Sequence, residues 1–224
     1  MNPDSWAPLW LSFEIAFLAT LLSGLLGIPL AAWLARGRFW GRDIIDVLAT
    51  APMVLPPTVL GYYVLVLLGR QSALGQAFEA LTGSSMVFTR TGACIAATLS
   101  AFPLVLKSAR ASIEDIDPWL IAAAQTLGAG KIRLFFTILL PLSKGGIAAG
   151  LALGFARSLG DFGLTLMVAG NIPGETQTAS LAIYDAVMAN HEQKALGMIL
   201  VLSSLAMLVL YGVNKLRQRR GHGF

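Results

Sequence analysis

One pair of ionisable residues lies deep inside an apolar run of this chain. Arg157 and Asp161 are four residues apart, so a helix would place them on one face. Ionisable side chains inside a membrane-spanning helix are costly and rarely face lipid. The pair therefore has two interpretations: a structural ion pair that fixes helix packing, or a positive site at which Arg157 meets an anionic ligand.

Prolines interrupt a second apolar run. Pro52, Pro56 and Pro57 each lack a backbone donor, and the last two remove two adjacent helical hydrogen bonds. The pattern is compatible with a static kink and with a broken helix that lines a pathway. Irregular backbone at membrane depth needs protein or water around it, so we keep Pro56 and Pro57 with Arg157 and Asp161 as candidate pathway residues.

Other patterns that carry chemistry are missing from the sequence. His191 and His222 have no metal-ligand spacing, and Cys94 is the single cysteine. No nucleophile stands beside a base, and no Gly-x-x-x-x-Gly-Lys loop is present to cradle phosphates. We therefore expect no catalytic residue, metal or cofactor in this chain, and we do not expect it to be an enzyme.

Composition indicates a membrane protein. Of the 224 residues, 56% are hydrophobic and 12% are charged, and the mean hydropathy is +0.71. A soluble domain has roughly twice that charged fraction. Apolar runs of about 20 residues can cross a bilayer as helices. The sequence predicts one all-α, polytopic transmembrane domain over residues 1–224, with about five spans and a short or re-entrant helix at 180–189. The spans lie near residues 10–35, 44–68, 92–112, 145–170 and 195–213.

The basic residues indicate the topology. Most of the 16 Lys and Arg residues fall on one side if the C-terminal tail shares that side with residues 113–141. The positive-inside rule places this side in the cytoplasm and the N-terminus outside. The net charge of +4 is then explained by topology and does not indicate nucleic-acid binding. An odd span number without internal duplication predicts that two copies form a symmetric pathway.

The cytoplasmic segment, residues 113–141, has a helical plan of its own. Asp117 can cap a helix that Pro118 begins, and Gly128 suits the left-handed residue that ends it. A second, amphipathic helix should follow and end at Pro141. Its apolar face would carry Ile132, Phe135, Phe136 and Leu139. Such a segment could lie flat on the membrane, pack against the ends of the spans, or dock in a groove of a partner.

This segment resembles the cytoplasmic signature loop of ABC importer permeases. The family pattern is Glu-Ala-Ala, three residues, Gly, nine residues and Ile-x-Leu-Pro. Here Ala123, Ala124 and Gly128 match, as do residues 138–141, whereas Ala122 stands where the family has glutamate. The nearest substitute carboxylates are Glu114, Asp115 and Asp117. The resemblance implies the type I ABC importer permease fold with a coupling helix that docks on an ATP-binding subunit. The implied contact residues are Trp119, Leu120, Ala122, Ala123, Ala124, Leu127 and Gly128.

Further stretches resemble molybdate permeases of this class. They are residues 51–63 (APMVLPPTVLGYY), 155–163 (FARSLGDFG) and 169–178 (AGNIPGETQT) with 181–185 (LAIYD). The resemblance covers nearly the whole chain and implies a bacterial inner-membrane complex with a second copy, two ATP-binding subunits and a periplasmic oxyanion-binding protein. ATP and Mg²⁺ would bind to the ATP-binding subunits. Arg157 would then offer positive potential to a divalent oxyanion in transit.

Alternative functions remain open at this point. Tungstate and sulfate permeases are near relatives of the molybdate class, and no residue here distinguishes these oxyanions. An ion-coupled secondary carrier is a second alternative, but such carriers often show inverted repeats and chains of embedded ionisable residues. The odd span number, the single embedded pair and the long cytoplasmic segment favour the ATP-driven importer.

Overall fold

A computed structural model describes residues 6–37 and 39–218, and all the regular secondary structure in these ranges is helical. Arg38, Arg219, Arg220 and His222 lie outside the described residues. The helices are α1 (Ala7–Arg36), α2 (Arg42–Thr50), α3 (Pro57–Leu68), α4 (Ala73–Thr82), α5 (Arg90–Glu114), α6 (Pro118–Thr126), α7 (Lys131–Leu134), α8 (Leu140–Leu159), α9 (Gly163–Ala169), α10 (Ala179–Met188) and α11 (Glu192–Gln218). This architecture confirms the predicted all-α fold.

Four helical stretches are long and apolar enough to cross a membrane: Ala7–Arg36, Arg90–Glu114, Lys131–Leu159 and Ala195–Val213. A fifth crossing is formed if the bent pair Arg42–Met53 and Pro57–Leu68 counts as one span. The number agrees with the sequence-based expectation of about five. Helix α10 has 10 residues and is too short to span a bilayer alone.

The directions of the long helices follow from their contacts. Helices α1 and α5 run parallel, because Ser23 Oγ donates to the Thr98 carbonyl (3.3 Å) and Arg36 Nη2 to the Ile113 carbonyl (2.6 Å), at nearly the same offset along both helices. The chain between them must therefore return to the opposite end of the bundle. Helices α2 and α3 make that return, although their axes meet at 112°.

Helix α8 runs antiparallel to α5 and packs against it through small residues. A Cβ atom at Gly150 would lie 2.8 Å from Ser108 Cβ, and one at Gly154 would lie 2.9 Å from Val105 Cγ2. Both distances are too short for a real side chain. Glycine at these positions therefore lets the two backbones approach closely, as is common between transmembrane helices.

The break in the second crossing lies at Val54–Pro56, between a 3₁₀ turn at Ala51–Met53 and the start of α3. Pro56 has an extended backbone (ψ 136°) because Pro57 disfavours the helical conformation for the residue before it. The span expected at 44–68 is thus a broken helix and not a continuous, kinked one.

Two other helix boundaries predicted from the sequence are wrong. Pro141 does not end the amphipathic helix, because helical structure continues from Lys131 to Leu159. A π-helical turn, Phe135–Leu139, precedes the proline and shifts the hydrogen-bond register, so that Pro141 stands in the first turn of α8, where its missing donor costs little. The span expected at 145–170 is not one helix either, since α8 ends at Leu159 and α9 begins at Gly163.

Candidate functional site

Both ends of α6 are fixed as the sequence predicts. Asp117 Oδ1 accepts a hydrogen bond from the Trp119 amide (2.9 Å), and Pro118 is the first helical residue. At the other end Gly128 has φ +82°, and its amide donates to the Gln125 carbonyl at 3.0 Å. The Ala129 amide donates to the Ala124 carbonyl, also at 3.0 Å. These two bonds form a Schellman motif, which satisfies carbonyls at the helix end.

One face of α6 packs on the protein and the other is exposed. Ile121 is buried, and Ala124 packs against the cluster that contains Ile113, Ile116 and Leu134. The other predicted contact residues are exposed: Trp119, Leu120, Ala122, Ala123, Leu127 and Gly128. Trp119 is 81% exposed and Leu127 is 87% exposed, and large apolar side chains in such a patch indicate an interaction surface.

The start of the segment formed by residues 113–141 is held by the end of α1. Arg36 Nη2 donates to the Ile113 carbonyl (2.6 Å) in the last turn of α5 and to the Ile116 carbonyl (3.0 Å) just after this helix. A guanidinium there satisfies orphan carbonyls and complements the negative end of the helix dipole. Sequence reasoning treated Arg36 only as a topology signal, and a contact 77 residues away in sequence has no local signature.

Charged side chains join α2 to α5 beside this segment. Asp46 pairs with Lys107 (3.1 Å) and Arg110 (2.7 Å), while Glu114 pairs with Arg110 (2.8 Å) and Arg42 (3.0 Å). Each partly exposed pair contributes little alone, but the shared partners form a network. The network connects the first half of the broken crossing to α5, the helix that leads into residues 113–141.

The carboxylates that could replace the family glutamate are not equivalent. Glu114 is held by two arginines, and Asp117 caps α6. Asp115 is exposed, and its side chain makes no hydrogen bond or ion pair with the side chains that the structure describes. Of the three carboxylates, Asp115 is therefore the one that these contacts leave accessible.

The break between α8 and α9 is organised by Asp161. Its Oδ1 accepts from Ser100 Oγ (2.8 Å) and from Arg157 Nη1 (3.1 Å). Its Oδ2 accepts from the Thr165 amide (3.0 Å) and Thr165 Oγ1 (2.7 Å), and its backbone carbonyl accepts from Ser180 Oγ (2.7 Å). Asp161 is 2% exposed and ties together α5, α8, α9 and α10.

The structure brings the candidate pathway residues into one region. Arg157 and Asp161 form the predicted pair, although Asp161 lies beyond the end of α8, and the Arg157 side chain is 41% exposed. A Cβ atom at Gly163 would lie 2.9 Å from Pro57 Cβ, so the first turn of α9 touches the first turn of α3. The two helix breaks, with Pro56 and Pro57 at one and Asp161 at the other, therefore adjoin.

An ordered loop, residues 171–178, lies at the end of the helix bundle opposite to residues 113–141. Arg90 donates to the carbonyls of Gly174 and Glu175, both at 3.2 Å. Asp185 accepts from Asn171 Nδ2 and from Gln177 Nε2 at 2.7–2.9 Å. Residues 171–178 are thus fixed by contacts from α5 and α10. The sequence pattern did not identify Arg90 as the residue that holds this loop, because the contact joins residues 84 and 85 positions apart.

Metal-binding geometry is a separate question. Throughout the described ranges, no three His, Cys, Asp or Glu side chains are grouped so that they could hold a metal ion. Two features could bind a ligand or a partner: the exposed apolar face of α6, and the Arg157–Asp161 pair at the break between α8 and α9.

Known proteins resemble this chain in sequence over most of its length. Residues 27–221 match the family described as binding-protein-dependent transport system inner membrane component. The molybdenum transport system permease protein ModB of Haemophilus influenzae is 42% identical over 214 residues, which cover 94% of this chain and 93% of the relative. ModB of Escherichia coli K12 is 40% identical over 211 residues (94% and 92%). The sulfate transport system permease protein CysT of Salmonella typhimurium is 32% identical over 220 residues (98% and 79%).

Solved structures resemble it in fold. The inward-facing MetNI methionine ABC transporter matches 97% of this chain and 98% of its own chain, with a TM-score of 0.73 at 14% identity. A bacterial alginate ABC transporter in complex with an alginate-bound periplasmic protein matches 99% and 81%, with a TM-score of 0.77 at 15% identity. At these identities the likeness concerns the fold, which is that of type I ABC importer permeases.

Proposed function

Because the chain belongs to the family of binding-protein-dependent transport system inner membrane components, we propose that it is the permease subunit of an ATP-driven importer of molybdate. The observation that carries the proposal is similarity along nearly the entire chain to permeases named for molybdenum transport, at 42% and 40% identity. The chain is a multi-pass protein of the bacterial inner membrane, and it is a permease subunit and not an enzyme.

Energy for transport comes from a partner in this proposal. The exposed face of α6, with Trp119, Leu120 and Leu127, docks in a groove of an ATP-binding subunit. Fixed caps at Asp117 and Gly128 keep this helix formed before docking, so little ordering entropy is lost on assembly. ATP and Mg²⁺ bind to that subunit, since this chain has no phosphate-binding loop.

The proposed docking also determines how the chain is oriented in the membrane. Helices α1 and α5 run parallel and both end beside the cytoplasmic segment, where Arg36 contacts the end of α5. If that segment meets ATP-binding subunits in the cytoplasm, α1 begins outside. Ala195 and Met198 near the start of α11 pack in one cluster with Leu9 near the start of α1, so α11 also begins outside and leads towards a cytoplasmic C-terminus. The ordered loop at 171–178 lies at the outer end, where a periplasmic oxyanion-binding protein would dock.

A second copy completes the pathway in this proposal. The helix breaks near Pro57 and Asp161 bring irregular backbone and the exposed Arg157 side chain to one region of the bundle. Irregular backbone and an exposed charge in a bilayer need protein or water around them. Two copies around a two-fold axis would enclose such a region, with two ATP-binding subunits attached.

A sulfate permease is the second candidate function. CysT of Salmonella typhimurium covers 98% of this chain at 32% identity, which is lower than the identity to the molybdenum permeases. Sulfate, tungstate and molybdate are all divalent tetrahedral oxyanions, so one pathway could conduct each of them. We assign most of the choice among them to the binding protein.

Reconstitution tests the proposal directly. The chain would be purified with its ATP-binding subunit, inserted in proteoliposomes and supplied with the binding protein. We expect molybdate uptake that requires ATP, with weak competition by sulfate. Uptake driven by an ion gradient, with no ATPase in the purified complex, would contradict the ATP-driven mechanism. Stronger uptake of sulfate than of molybdate would instead favour the second candidate.

A further inference from the structure

We propose that Arg157 is the residue that contacts the oxyanion in transit, and that Asp161 is a positioning residue that presents it. This inference rests on the proposed function and assigns different roles to the two members of the pair. The two side chains have different environments, since Asp161 is 2% exposed and the Arg157 side chain is 41% exposed. Only the carboxylate is buried, so the guanidinium remains accessible to a ligand.

The hydrogen bonds of Asp161 do not depend on Arg157. Apart from the arginine, its carboxylate accepts from Ser100 Oγ, the Thr165 amide and Thr165 Oγ1 at 2.7–3.0 Å. Two of these donors belong to α9 and one to α5. Hydrogen bonds from several donors offset the desolvation of a buried carboxylate. Asp161 can therefore hold the α8–α9 break in place when Arg157 is changed.

The hydrogen bonds of Arg157 are incomplete by comparison. Among residues 6–37 and 39–218, its guanidinium makes a single hydrogen bond, from Nη1 to Asp161. A guanidinium has five N–H donors in a planar fork, which matches the oxygens of an oxyanion. The bond to Asp161 occupies one nitrogen, and the Arg157 side chain as a whole is 41% exposed.

The position of Arg157 in the bundle limits what its exposed side can face. Ser158, which follows Arg157 in α8, donates to the Ala97 carbonyl of α5 (3.0 Å). The carbonyl of Thr98, the next residue of α5, accepts from Ser23 within the long helix α1. The guanidinium thus lies well inside the spanning region, where a charge facing hydrocarbon is costly. Its exposed side must face water or a second copy of this chain, and a pathway at the two-fold axis provides both.

The carboxylate also explains why contact with the anion would be brief. Asp161 lies 3.1 Å from the guanidinium and offsets part of its positive charge. An uncompensated arginine would hold a divalent anion more tightly and release it slowly. The pair therefore suits a residue that conducts the substrate and leaves capture to the binding protein.

Chemical restoration of the charge tests the role of Arg157. The chain has one cysteine, so Arg157→Cys in a Cys94→Ser background carries a single thiol. In the proteoliposome complex we expect this variant to assemble and to lose at least tenfold in molybdate uptake. A cationic methanethiosulfonate should restore much of the uptake, whereas an anionic reagent should not. Arg70→Gln is the matched control, because it removes a 70% exposed charge away from this region.

Three outcomes would overturn the inference. They are full activity of the Arg157→Cys complex, labelling by both reagents without any difference in uptake, and no labelling at all, which would place the site away from water. If the Cys94→Ser complex imports oxyanion and Arg157→Cys shows one of these three outcomes, the role of Arg157 is refuted and the proposed function stands. A wild-type complex that imports no oxyanion overturns the proposed function, and this inference with it.

Thermal unfolding separates the two roles. Asp161→Asn should lower the melting temperature of the purified complex, because it alters three contacts with α5 and α9, whereas Arg157→Gln should leave it near the wild-type value. Asp161→Asn should also lower uptake, and combining it with Arg157→Gln should cause no further loss of uptake. Equal destabilisation by the two single variants would show a structural ion pair and refute the division of roles.

Discussion

Gly128→Ala should weaken the end of α6 through backbone conformation alone. Gly128 has φ +82°, and a Cβ atom built there meets nothing within 4 Å. A residue with a side chain pays about 1–2 kcal/mol to adopt the left-handed conformation. That energy lowers the equilibrium constant for closing the Schellman turn by a factor of about 5–30. The strain acts on the two hydrogen bonds that close the helix beside Leu127, one of the most exposed apolar residues of the docking face.

Gly130→Ala is the matched control for this change. A Cβ atom at Gly130 also meets nothing within 4 Å, but its φ is −68°, which any residue adopts. The two variants differ only in the backbone conformation that they require. Gly128→Asn should fall between them, because asparagine tolerates the left-handed region better than alanine.

Hydrogen exchange and transport provide the assay. Amide exchange over residues 117–130 of the purified complex should be about 5–30 times faster in Gly128→Ala, in proportion to the increased population of the open turn. The amount of ATP-binding subunit that co-purifies, or the molybdate imported per ATP hydrolysed, should fall. Gly130→Ala should match the wild type in each measurement. Identical results for the two alanine variants would refute the assignment of this turn to the coupling interface.

Four further variants extend the test. Asp117→Ala removes the cap of α6, at a cost of about 1 kcal/mol, and should speed amide exchange in this helix. Asp115→Ala is the control and should leave the exchange unchanged. Equal exchange in both variants would contradict the capping role. Ala123→Glu places a charge on the exposed face and should reduce co-purification of the ATP-binding subunit, so unchanged assembly and uptake would show that the interface lies elsewhere. Arg36→Met leaves two carbonyls of the α5 end without this donor and should lower the ratio of transport to ATP hydrolysis; an unchanged ratio would limit Arg36 to topology. Gly150→Leu cannot fit between α8 and α5 and should abolish the folded complex, so a normal yield would mean that the close approach is not needed.

Local features of the chain were predictable from sequence. The apolar runs gave the helical class and the number of crossings, because span length is set by bilayer thickness. The ends of α6 were predictable because Asp117, Pro118 and Gly128 act through their own backbone neighbourhood. The break near Pro56 was likewise marked by local chemistry, since consecutive prolines remove adjacent hydrogen bonds.

Features that depend on distant partners were not predictable. The break after Leu159 exists because Ser100, 61 residues away in sequence, and Thr165 both donate to Asp161. The inward position of Ala124 depends on the cluster that anchors α6 and not on the family pattern. The sequence predicts a helix end at Pro141, because a π-helical turn, which moves a proline to a tolerated position, leaves no clear sequence signal.

The π-helical turn gives the subunit a mechanical property. It joins the cytoplasmic segment to α8, so that Lys131–Leu159 forms one helical stretch of 29 residues. At 1.5 Å per residue this stretch is about 43 Å long, and a tilt of about 5° at its cytoplasmic end would displace the far end by about 4 Å. The far end is the last turn before Asp161, with Arg157 on it. In the proposed complex, a small rotation that reaches Lys131 from α6 through the turn at Gly128–Gly130 would move the guanidinium by more than the diameter of a water molecule.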